Sequence, residues 1–281
     1  MNSSRWHGKL QLDFALQDGT TLMTRSQGTA PLKIQRPFYP EGAEVCHGVI
    51  LHTAGGIVGG DRLRIDLQVA PSAHALITTA AASKIYRSNG QEAEQTIQIS
   101  VGEGACLEWL PQEAIAFASA IYRQNLRIEL APSATWLGWE VTRFGRSASG
   151  ERFTEGTWRS HTEVWQQGKP LWIDRQWLEG DRTILDSPHG LNGCAVVGSF
   201  ALVGRAATPE IVEKIRRLWT EGQSAGKYNG EAGVSRLISG LLCRYRGNSN
   251  SEVRSWFRDV WQLLRLSYMQ RSACLPRVWQ M

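Results

Sequence analysis

Much that would announce an enzyme is missing from these 281 residues. No Gly-Lys-Ser/Thr follows a glycine loop, which excludes a Walker-type phosphate site. No Gly-x-Ser-x-Gly elbow and no His-Glu-x-x-His is present, so two common hydrolase layouts drop out. Cysteines number five, an odd count, at Cys46, Cys106, Cys194, Cys243 and Cys274. None forms a Cys-x-x-Cys pair, which argues against a disulfide framework and a structural zinc site. No run approaches the ~20 apolar residues of a membrane span. The stretch Met1 to Leu16 is polar and mixed, without the basic-then-apolar order of a signal segment, so a cytoplasmic location is expected.

What is present fits a packed globular protein: 42% hydrophobic and 20% charged residues. Twelve tryptophans are many for the length, and tryptophan fills cores and protein interfaces alike. From Arg205 onward there are 13 Lys/Arg against 6 Asp/Glu, so the whole basic excess lies in the last quarter. That surplus suits either a solvated helix face or an acidic partner.

The first two-thirds alternates like strands. Leu10, Leu12, Phe14 and Leu16 precede an Asp18-Gly19 turn and a second strand, a hairpin. A weak repeat follows. Ile65, Leu67 and Val69 lead into Ala70-Pro71-Ser72-Ala73, Ile97, Ile99 and Val101 into Gly102-Glu103-Gly104-Ala105, and Ile128 and Leu130 into Ala131-Pro132-Ser133-Ala134. Each unit reads as strand, tight turn, strand, with one apolar face to cover. Stacking buries those faces. The expected fold is mainly β: two stacked or helically wound sheets with a few C-terminal helices packed on them. A sandwich of hairpins is the competing layout. Further strands are expected over Thr135–Phe144, Thr157–Gln166, Leu171–Leu178 and Cys194–Val203.

The length admits one large domain or two ordinary ones, and the patterning sets a β-rich body to 205 against a helical part over 206–281. Thr208-Pro209-Glu210 opens one helix. Val234, Leu237, Ile238, Leu241 and Leu242 suggest a second. Ser249-x-x-Glu252 is a capping box for a third, whose stripe is Val253, Trp256, Phe257, Val260, Trp261 and Leu264.

Candidate chemistry is sparse. His52-Thr53-Ala54-Gly55-Gly56-Ile57-Val58-Gly59-Gly60-Asp61 joins two alternating runs, so it is a turn or a loop pressed against a neighbour, not a dinucleotide fingerprint. Cys46-His47-x4-His52 resembles a ligand set. On one strand, however, the two histidines face opposite ways and lie roughly 16 Å apart at ~3.3 Å per residue. Glu108 and Glu113 raise an alternative, an all-β carbohydrate-active enzyme. Their odd offset and the intervening Pro111 oppose an acid–base pair. Glu140 and Asp174 sit among aromatics, where a carboxylate is either salt-bridged or lines an interior passage that holds a divalent cation loosely. A nucleic-acid binder using the basic last quarter ranks below a protein partner, because the helices there look core-facing.

Several blocks in register resemble the UreD (UreH) family of urease accessory proteins. They are Pro31 to Glu41, His52 to Asp61, Ser83 to Ser88, Leu107 to Glu113, Gly145-Arg146 with Gly150 to Phe153, Trp261 to Arg265, and Pro276 to Trp279. The resemblance implies a non-enzymatic maturation factor, a single β-rich domain over 1–281, and a complex with the accessory proteins UreF and UreG, the latter a GTPase. It implies docking on urease apoprotein and passage of nickel through an internal polar tunnel, with no tightly bound cofactor, no nucleic acid and no membrane. Tunnel positions implied by the resemblance are Asp61, Ser83, Glu140 and Asp174. Cys243-Arg244-Tyr245-Arg246-Gly247 departs from the family's more typical Arg-Tyr-Leu-Gly at Arg246. Arg244, Arg246, Arg254 and Arg258 are the expected partner-docking residues, read from the basic surplus. An ion route must release its cargo, so scattered carboxylates and a hydroxyl suit it better than a thiolate–imidazole cage.

Overall fold

The computed structural model describes residues 5–279; Met1 to Ser4 of the polar N-terminal stretch, with Gln280 and Met281, lie outside it. In chain order the strands are β1 (His7–Gln17), β2 (Thr20–Thr29), β3 (Leu32–Ile34), β4 (Val45–His52), β5 (Arg62–Val69) and β6 (His74–Thr79). Then come β7 (Ser83–Ile85), β8 (Ala93–Val101), β9 (Cys106–Trp109), β10 (Ala114–Ala116), β11 (Ala120–Leu130) and β12 (Thr135–Phe144). The rest are β13 (Gly156–Gln166), β14 (Lys169–Glu179), β15 (Val196–Val203), β16 (Glu231–Leu237) and β17 (Gly240–Gly247). Helices are α1 (Arg182–Asp186), α2 (Pro209–Ser224) and α3 (Asn250–Leu264).

The chain winds between two sheets, as the repeat implies. The first has seven strands in the order β14-β13-β11-β8-β5-β1-β2. The second has ten, along β16-β17-β15-β12-β9-β6-β4-β3 with β7 and β10 beside it. Strands β5, β8 and β11 are parallel neighbours in register, with Val69 beside Val101 and Val101 beside Leu130. Each then turns into the second sheet through the same tight bend. Ala73 N–H reaches Ala70 C=O, Ala105 reaches Gly102, and Ala134 reaches Ala131, at 3.0–3.2 Å. Left-handed Ser72, Gly104 and Ser133 close these turns, with φ of 62°, 64° and 60°. The inward faces, including Leu10, Leu12, Phe14, Ile65, Leu67, Ile97, Ile99 and Ile128, are almost wholly buried between the sheets.

The other face of the second sheet carries a second core beneath the helices. Thr208 caps α2, its side chain accepting from Ile211 N–H, and the whole expected stripe of α3 is buried. The capping box is half-made. Ser249 Oγ accepts from Glu252 N–H at 3.2 Å, but Glu252 turns to the loop before β16, where Asn229 and Gly230 N–H donate to it. The expected second helix is instead the hairpin β16–β17, which extends the second sheet beyond β15. The C-terminal part is therefore helix plus strand.

A buried ionic cluster clamps the end of α3 to the second sheet. Arg265, fully buried, meets Glu108 at 3.0 Å and Glu41 at 2.8 Å. Trp261 also donates to Glu108, and His74 lies 2.7 Å from it. Burial alone would raise Glu41, but hydrogen bonds from His47 and Arg265 hold it at about 2. Burial alone would lower His74, but Cys106 and Glu108 push it up to about 10. His47 spends its Nε2 on Glu41, at 2.6 Å, rather than on any partner beside His52.

Candidate functional site

Inward-facing strand positions are normally apolar, yet at one level of the fold four strands break that rule. On β13 the buried face reads Trp158, Ser160, Thr162, Val164. On β14 Asp174 and Gln176 stand beside Thr162 and Ser160. Gln124 of β11 is in register with Ser160, and Gln95 of β8 with Gln124. A polar row, Gln95–Gln124–Ser160–Gln176, thus crosses the first sheet beneath the row Ile97–Leu126–Thr162–Asp174. Facing it from the second sheet is the β12 series Trp136, Gly138, Glu140. Gly138 is forced here: a Cβ would fall 2.3 Å from the Trp136 ring.

Between these rows lies a cavity of about 60 Å³, lined among others by Ser83, Gln112, Tyr122, Glu140, Asp174 and Ser199. That is room for a few waters. Three of the four expected tunnel residues, Ser83, Glu140 and Asp174, therefore share one compartment although they come from distant sequence blocks. Ser160 Oγ donates to Glu140 at 2.8 Å. Burial raises the Glu140 carboxyl to about 7; Asp174 adds to the rise, while the Ser160 bond and Arg244 pull against it. Asp174 takes Arg244 on one oxygen at 2.6 Å and Gln176 on the other at 2.8 Å. Gln176 and Arg244 also reach Ser199 Oγ, tying the two sheets together at the β14 edge.

Asp61 stands apart from this compartment. It is fully buried, and its oxygens accept the Val58 and Trp6 N–H groups, both at 2.9 Å. It fastens the glycine loop to the N-terminal segment. Gly56 lets that loop press on Tyr86, whose ring lies 2.4 Å from where a Cβ would be.

The arginines also divide. Arg244 reaches the cavity edge at Asp174 with its side chain still 41% exposed. Arg246 binds Glu231 and the Pro188 and Gly190 carbonyls. Arg254 binds Gln112 and Glu113, and Arg254 and Arg258, one turn apart on α3, line a surface pocket with Trp279. The two alternative carboxylates do not meet as an acid–base pair: Glu108 belongs to the Arg265 clamp, while Glu113 bonds Asn250 and Arg254. Among the described residues no cluster of three or more His, Cys, Asp or Glu could cage a metal. No helix among them is long and apolar enough to cross a membrane.

Ser160, Thr162, Gln176 and Ser199 were not singled out from the sequence. Their signal was legible: polar side chains at inward positions of otherwise apolar alternating strands.

The geometry defines a two-sheet scaffold around a lean acidic compartment, where Glu140 accepts from Ser160 and Asp174 from Arg244 and Gln176. Comparison with known proteins names the group. The family model described as "UreD urease accessory protein" matches residues 7–280. The chain is 64% identical over 275 residues to the urease accessory protein UreD of Nostoc punctiforme, covering 98% of this chain and 96% of that protein. It is 61% identical to UreD of Trichormus variabilis over the same shares, and 40% identical to UreD of a Janthinobacterium strain over 96% and 90%. The chain belongs to the UreD family of urease accessory proteins.

Proposed function

We propose that this protein is a non-enzymatic maturation factor for urease, a scaffold that assembles with UreF and UreG in the cytoplasm, docks on urease apoprotein and passes nickel to it. The observation that carries the reading is the meeting of Ser83, Glu140 and Asp174 in one interior cavity. Their chemistry suits a divalent cation in transit. Carboxylate and hydroxyl oxygens are hard donors. Glu140 and Asp174 are each shared with a protein donor, so neither grips an ion alone, and a conduit must let go. Docking falls to the C-terminal arginines Arg244, Arg246, Arg254 and Arg258, all of them partly exposed. GTP hydrolysis belongs to a partner.

The test is a reconstituted activation with UreF, UreG, apo-urease, GTP and nickel. The expected result is that the protein co-purifies with UreF and UreG, and that urease activity appears only when all three are present. Equal activation without this chain would sink the reading.

A further inference from the structure

The cavity needs mouths, and the strand register points to one. Strand β12 pairs with β9 from Thr135 to Gly138, and with β10 from Thr142 to Phe144. Between those ladders Trp139, Glu140 and Val141 have no ladder partner on that side. Four residues, Leu110 to Glu113, stand opposite these three, so the register slips by one. Such a bulge re-aims side chains and interrupts a sheet. Pro111 has no N–H to offer the ladder. Its neighbours bond away from β12: Leu110 N–H goes to Ile77 C=O, and Gln112 N–H to Thr79 Oγ1, at 2.8 and 2.9 Å. The second sheet therefore has a gap beside Glu140.

The gap has cavities on both sides. Pro111, Gln112 and Trp139 line the compartment between the sheets, and the same three line a pocket of about 210 Å³ on the helix side. The outer pocket is completed by Ser251, Arg254, Arg258, Val278 and Trp279. Trp279 is seated over it. Its ring lies 5.3 Å from Trp139 and 5.8 Å from Trp261. Its indole N–H donates to Thr78 Oγ1 at 3.0 Å, and Thr78 donates onward to Leu110 C=O at 2.6 Å. Trp139 Nε1 holds Pro111 C=O at 2.7 Å, and Arg254 holds the Gln112 side chain at 3.0 Å. The rim of the gap is thus fastened by hydrogen bonds from the very elements that cover it.

We infer that the gap between Trp139–Val141 and Leu110–Glu113 is a mouth of the interior compartment, opening onto the α3 face and sealed by Trp279. The use of this mouth by nickel rests on the function proposed above; the opening itself does not. Asp61, held by backbone N–H groups elsewhere, is not needed on such a route. Arg254 is neutralised by Glu113, 3.3 Å away, which lowers the barrier that a guanidinium would present to a cation at the rim.

The test uses no metal. Ser83→Cys places a thiol in the cavity wall, and peptide mass spectrometry follows its modification by a small methanethiosulfonate separately from the native cysteines. With Trp279 intact, labelling should be slow. Trp279→Ala should speed it by about tenfold or more, at an unchanged unfolding midpoint of the rest of the chain. Gln112→Trp, which refills the gap, should return the Trp279→Ala protein to the slow rate. Should Trp279→Ala destabilise the fold, Gln112→Ala with Trp279 in place tests the same rim and should also accelerate labelling. Equal rates in all four proteins would overturn the inference. Fast labelling with no effect of these variants on nickel delivery would leave the mouth standing and count against the nickel reading alone.

Discussion

A carboxyl at position 140 is costly to keep, and the cost has a direction. Its folded pKa of about 7 lies above the ordinary 4.5, chiefly because burial disfavours the charge. A raised acid means that stability is complete below the unfolded pKa and is lost as pH rises through the folded one. The shift is worth on the order of 3–4 kcal/mol at most. Glu140→Gln should therefore match the parent in urea unfolding near pH ~4 and exceed it above pH ~7. An equal pH dependence in both proteins would mean that Glu140 is solvated like a surface residue. The site residues were partly legible in the sequence for a simple reason. Local sequence shows a residue's setting, so Glu140 and Asp174 could be read as acids among aromatics, either salt-bridged or lining a passage. It says nothing of which strands lie opposite, so Ser160 and Ser199 could not be joined to them. The same limit hid the second bond of Arg244, whose charge suggested a partner surface and whose guanidinium also pairs with Asp174.

Elements show where periodicity fails. Val234, Leu237, Ile238, Leu241 and Leu242 fit a helical stripe, yet they form a hairpin with Ile238 at its exposed tip. Two strands joined by a two-residue turn reproduce that spacing by accident. The decisive pattern lay further on: Leu241, Cys243 and Tyr245 are buried alternately, opposite Arg244 and Arg246. By contrast, α3 was readable end to end, because six apolar residues at helical spacing followed a serine cap. What periodicity could not supply is the clamp on its end. Arg265 is fully buried between Glu41 and Glu108, residues more than 150 positions away in the chain. Removing one partner of a buried ion pair leaves an unpaired charge and costs about 3–5 kcal/mol. Arg265→Leu should lose about that much in urea unfolding. A loss under about 1 kcal/mol would show that the helix is held by its apolar stripe alone.

Across the whole molecule, the repeat in the sequence and the winding of the chain are one phenomenon. Each identical turn returns the chain to the opposite sheet, so the two sheets grow together and enclose whatever faces inward. Over most of that interior the result is an apolar core. At the β12–β14 level the inward residues are polar, and a small cavity is left instead. That placement is the observation on which the proposed passage of nickel rests. The most direct measurement is the nickel content of urease after incubation with the assembled accessory complex, using Glu140→Gln with Asp174→Asn in this chain. Both changes remove charge at nearly constant size; Asp174→Asn also gives up one of the two acceptor oxygens that Arg244 and Gln176 use. The account predicts an intact complex with UreF and UreG and at least a fivefold drop in nickel per urease active site. A full nickel load delivered by the doubly substituted protein would contradict it.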